Sequence, residues 1–85
     1  MSYSVNIRPA AQRQFARLPA NIRKAIGSEL EGLALDPRPH GCRTMVGSTN
    51  SYRIRVADYR VIYEIDDTAR AVRVTVIGHR GEVYR

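Results

Sequence analysis

The segment "SYRIRVADYRVIYEI", residues 51–65, alternates apolar and polar side chains on both sides of the dipeptide Ala57-Asp58. A period of two marks a half-buried strand, and a two-residue break between two such runs signals a hairpin. With Ala57 and Asp58 as the turn, Val56 faces Tyr59, Arg55 faces Arg60, Ile54 faces Val61 and Arg53 faces Ile62. Tyr52, Ile54, Val56, Val61 and Tyr63 then line a core side, while Arg53, Arg55 and Arg60 share the other. Like charges directly across a sheet destabilise it by roughly a few tenths of a kcal/mol or more. Stability alone therefore does not explain an arginine set opposite an arginine. Two readings stay open: a surface built for a polyanion, or a solvated ladder in which Glu64, on the same face, neutralises the arginines.

Outward from this hairpin, "AVRVTVIG" (71–78) is a third alternating run, separated from the second by the turn-compatible "DTAR". Upstream, "DPRPHG" is the strongest breaker in the chain. The "CRTMVGSTN" that comes after it reads as a loop leading into, or including, the start of a strand. Before the breaker the period changes. Ile22, Ile26, Leu30 and Leu33 form one stripe of a helix for which Asn21 is the expected N-cap. Ala11, Phe15 and Leu18 share a face of a shorter helix that Pro9 opens and Pro19 stops. "YSVNIR", residues 3–8, alternates as a short first strand. The expected architecture is α+β: an N-terminal strand, an α-helical hairpin, then an antiparallel three-stranded meander, with the helices packed on the sheet.

Eighty-five residues allow a single domain, 1–85. Hydrophobic residues make up 44%, enough for a core and too many for a disordered chain. No apolar run approaches the roughly 20 residues that cross a bilayer, and no secretory signal is visible, so the expected compartment is the cytoplasm. The single cysteine, Cys42, excludes an intrachain disulfide and a multi-cysteine metal site. A net charge of +6 fits a polyanionic partner. Of the 14 basic residues all but Lys24 are arginine. Guanidinium matches phosphate geometry, although a GC-rich genome accounts for the same bias. No phosphate-binding glycine loop, metal-ligand cluster or serine or cysteine nucleophile motif is present, and no cofactor or metal is expected. The tail "GHRGEVYR", residues 78–85, adds His79, Arg80 and Tyr84, leaving arginine, tyrosine and histidine as the groups able to carry any catalysis.

Taken together, "FARLP", "DPRP", "YRIRVADYRVIYEIDD" and "IGHRGEVYR" resemble the RelE/ParE superfamily of bacterial toxin–antitoxin systems over essentially the whole chain, and its RelE branch in particular. The resemblance implies a compact α+β fold of the RelE-like microbial RNase type. It also implies an mRNA interferase, an endoribonuclease that cleaves mRNA in the A site of the 70S ribosome. A cognate RelB-like antitoxin would wrap around and neutralise it. Carried over by position, the catalytic set is Arg60, Arg80 and Tyr84, with Arg53 and Arg55 positioning the RNA phosphates. The best-known members have lysines in place of Arg53 and Arg55. Arginine keeps the charge but gives up protons far less readily, which argues against proton transfer there. The rival readings are a ParE-like inhibitor of DNA gyrase and a non-catalytic basic nucleic-acid-binding domain.

Overall fold

The computed structural model describes residues 2–47 and 49–79. Arg80 and Tyr84 lie outside the described residues. The elements run in the order β1 (Ser4–Ile7), α1 (Pro9–Ala16), α2 (Ala20–Leu35), β2 (Arg43–Thr44), β3 (Ser51–Val56), β4 (Tyr59–Asp66) and β5 (Ala71–His79). The five strands form one sheet in the order β1-β5-β4-β3-β2. β3, β4 and β5 are the expected antiparallel meander. β1 joins it parallel to β5, so the helical hairpin and the hairpin of β3 and β4 both lie between the two paired strands in sequence.

Both helices cover one face of the sheet. Ala11, Leu18, Ile26, Leu30 and Leu33 bury against Ile54, Val61, Tyr63, Ile65, Val72, Val74 and Ile77. Pro9 opens α1, where its missing N–H costs nothing. The start of α2 differs from the expectation placed on Asn21. The helix begins at Ala20 with Pro19 as N-cap and no side-chain cap, because the proline that stops α1 already holds the extended backbone from which α2 starts. The segment after the breaker contributes only the two-residue β2, which pairs with β3.

A β-bulge interrupts the alternation of β5. Pairing passes from Tyr63↔Val74 to Ile62↔Val76, leaving Thr75 as the extra residue. The Thr75 hydroxyl donates to the Ile62 carbonyl at 3.2 Å. A bulge of one residue exchanges the two faces beyond it. Val72 and Val74 are buried before it, and Ile77, not Val76, is buried after it. β1 ends at Ile7, so among the described residues the outer edge of β5 has no strand beside it beyond Val74. There α1 substitutes for a strand: the Gln14 Oε1 accepts the Ile77 N–H at 2.8 Å.

Candidate functional site

The register of β3 and β4 is the one the sequence implies: Val56↔Tyr59, Arg55↔Arg60, Ile54↔Val61 and Arg53↔Ile62. Side chains on paired residues share a face, so Arg53, Arg55 and Arg60 lie together on the side of the sheet away from the helices. Arg43 of β2 pairs with Arg53 and joins them, giving two arginine-on-arginine pairs across three adjacent strands. Arg43 was missed in the sequence because its strand is too short to show an alternation.

Arg60 occupies the most constrained position. It is only 7% exposed, and its Nε is buried without a hydrogen-bond partner. A buried ionised group without partners is costly, so such groups are normally paired or serve a ligand. The bulge in β5 helps create this site. An unbulged β5 would set Ile77 across from Arg60, whereas the bulge sets Gly78 there, on the same face and without a side chain. Glu64 shares the face but ion-pairs with Arg73 at 3.4 Å, so Glu64 is engaged away from the arginines it was expected to neutralise in the ladder reading. Neither Arg55 nor Arg60 makes an ion pair among the described residues.

A second polar cluster braces this sheet. Arg38, from the breaker, holds Asp67 through both guanidinium nitrogens at 3.2 and 2.8 Å, and its Nε donates to the Tyr52 hydroxyl at 3.1 Å. The Tyr3 hydroxyl donates to the same carboxylate at 2.7 Å. The Arg38 guanidinium, with the Tyr3 hydroxyl second, holds the Asp67 carboxyl down at about 2. Tyr52 stacks on Tyr63 with ring centroids 6.0 Å apart, and the buried Tyr63 hydroxyl donates to the Pro37 carbonyl at 2.8 Å. Burial pushes the Tyr63 phenol well above its ordinary value. This cluster fixes the breaker against β3 and β4. Its role was not legible from "DPRP", which shows a turn but not the partner of its arginine.

On the arginine face Arg43 and Arg55 are exposed, Arg53 is half-buried and Arg60 is buried. A cavity of about 420 Å³ opens on the helix side of the same sheet end, beside Tyr59 and His79. His79 closes β5 and meets Tyr59 edge to face at 5.5 Å. Among the described residues no group of three or more His, Cys, Asp or Glu is arranged to hold a metal ion. No helix there is long and apolar enough to cross a membrane.

A small α+β domain with helices on one face of its sheet and clustered arginines on the other is the architecture of a compact toxin of the RelE type. The chain belongs to the ParE toxin family of type II toxin–antitoxin systems, within the RelE/ParE superfamily; the family's sequence model matches residues 5–84. It is 29% identical over 86 residues to Toxin RelG of Mycobacterium tuberculosis, covering 100% of this chain and 99% of the relative. The fold is that of archaeal RelE in its complex with RelB from Pyrococcus horikoshii OT3, with a TM-score of 0.85 and 24% identity over 96% of this chain and 99% of the other. The isolated E. coli RelE toxin matches with a TM-score of 0.82 and 24% identity, covering 98% of this chain and 92% of that one. The toxin–antitoxin complex RelBE2 of M. tuberculosis gives the same score and identity over 94% and 100%.

Proposed function

We propose that this toxin is a ribosome-dependent endoribonuclease that cleaves mRNA in the A site and is neutralised by a RelB-like antitoxin. The observation that carries this reading is Arg60, a buried guanidinium with an unpaired Nε, directly across from Arg55. Guanidinium matches phosphate geometry, and a phosphate lying on this face would meet the charge of the Arg55–Arg60 pair.

In the proposed reaction the RNA 2′-OH attacks the adjacent phosphate, the P–O5′ bond breaks, the departing 5′-oxygen takes a proton from water, and the products are a 2′,3′-cyclic phosphate and a 5′-OH. Tyr84 takes the 2′-OH proton as the general base. Arg60 and Arg80 stabilise the charge that builds on the phosphate oxygens, as preorganised donors do. Arg53 and Arg55 position the backbone and support the leaving group. The ribosome supplies the remaining geometry by presenting the codon.

The test is primer extension on mRNA in a translating extract, with and without ribosomes. Cleavage within codons only when ribosomes are present is the expected result, and Arg60→Ala, Arg80→Ala and Tyr84→Phe should each lower it by about 10²-fold or more. Wild-type cleavage and growth arrest by the Arg80 and Tyr84 variants would remove those residues from the mechanism. The match to the ParE family favours one other reading, inhibition of DNA gyrase by protein contact. That reading predicts DNA-damage signalling with intact transcripts.

A further inference from the structure

The charge of the molecule is segregated along the chain. Residues 1–28 carry five cations, Arg8, Arg13, Arg17, Arg23 and Lys24, and no acid; every acidic residue lies at Glu29 or beyond. All five are exposed, and none forms an ion pair among the described residues. They lie on the helical hairpin and its flanks, on the layer opposite the arginine face.

The cavity of about 420 Å³ opens at this hairpin, between the end of α1 and the ends of β4 and β5. Arg17 lines it at the C-terminus of α1, where the Arg17 N–H donates to the Gln14 carbonyl and the Leu18 N–H to the Phe15 carbonyl. Leu18 and Pro19 give it an apolar wall, and the half-buried ring of Tyr59, steadied by His79, gives it an aromatic one. An aromatic surface beside a guanidinium at the rim of a basic groove is how single-stranded nucleic acid is held.

We propose that this cavity takes one unpaired nucleotide of RNA, its base against Tyr59 and its phosphate on Arg17. The inference rests on the RNA-cleaving reading and names a flanking nucleotide of that substrate. Tyr59 and Arg60 are consecutive in β4, so their side chains leave the sheet on opposite faces. A strand lying across Arg55 and Arg60 reaches the cavity by passing over the sheet end beside the Ala57-Asp58 turn. An acidic protein fits this surface less well. Protein interfaces need an apolar centre, and among the described residues the large exposed apolar side chains, Leu35 and Val46, belong to the far end of α2 and the loop after β2.

The test is equilibrium binding of a short fluorescent 2′-O-methyl oligoribonucleotide, which cannot be cleaved, to the full chain across a range of salt. Arg17→Ala should weaken binding and make the logarithmic salt dependence shallower by about 0.7, the increment for one phosphate contact on a single strand. Arg17→Lys should restore the slope, and Tyr59→Leu should cost roughly tenfold in affinity. A duplex of the same length should compete poorly. Unchanged affinity and slope in Arg17→Ala, or equal competition by the duplex or by polyglutamate, would overturn the proposal. The same variants in the translating extract separate the two readings. Arg17-dependent binding with no cleavage by wild type sinks the nuclease alone, and normal cleavage with Arg17-independent binding sinks the nucleotide site alone.

Discussion

Arg60 sets function against stability within a single side chain. Its stem fills the space opposite Gly78, while its Nε is stripped of water without receiving a protein acceptor. Leaving a buried donor unsatisfied costs about 1–3 kcal/mol, more for a charged group. Replacing such a charge by an apolar residue of similar shape is often neutral or stabilising. Arg60→Met should therefore keep or raise the thermal midpoint while cleavage in a translating extract collapses. A variant that loses activity and unfolds in parallel would instead make Arg60 a structural residue. The neighbouring pair differs in kind. Arg55 is exposed, so its repulsion from Arg60 is softened by water, and Arg55→Ala should leave stability within about 0.5 kcal/mol of wild type. Thermal melts of both variants check the contrast.

At the level of elements, the hairpin of β3 and β4 was legible because turn length and alternation fix the register together, down to Arg55 across from Arg60. The bulge was not. "AVRVTVIG" alternates as far as Val76, and the adjacent Ile77 does not by itself tell a bulge from a strand end. The β4–β5 register and the Gln14 bond to the Ile77 N–H show that the faces exchange at Thr75. That exchange is what sets Gly78 beside Arg60, so the arginines of the site were readable and the reason for their burial was not. The turn itself holds a strained residue. Ala57 has φ 54°, in the left-handed region that costs a residue with a Cβ about 1 kcal/mol or more. Glycine enters that region freely but loses more entropy on folding. Ala57→Gly should therefore stabilise the chain by about 0.5 kcal/mol, measured by denaturant midpoint with an unchanged m-value. A destabilised variant would show that the Ala57 methyl makes contacts worth more than the strain.

Across the whole molecule, distant segments are tied together at one carboxylate. Asp67, in the turn between β4 and β5, binds Arg38 from the breaker and Tyr3 from the N-terminal segment, and Arg38 continues to Tyr52 on β3. These groups are far apart in sequence, so the clamp closes long loops, and its partners were invisible to any local pattern. It is also exposed, and salt screens it. Its pH dependence is governed by the Asp67 carboxyl, which titrates at about 2 in the folded chain. An unfolded aspartate titrates near roughly 3.9. A depressed folded value means that the contribution is complete above the unfolded value and is lost as pH falls through the folded one. The stability difference between wild type and Asp67→Asn should therefore be level from neutral pH to about 4, shrink from there towards 2, and narrow with added salt at any pH in the level range. Denaturant melts of the two proteins at stepped pH check this. A difference that persists unchanged at pH 2 would mean that the Asp67 side chain holds these segments by shape and neutral hydrogen bonding rather than by its charge.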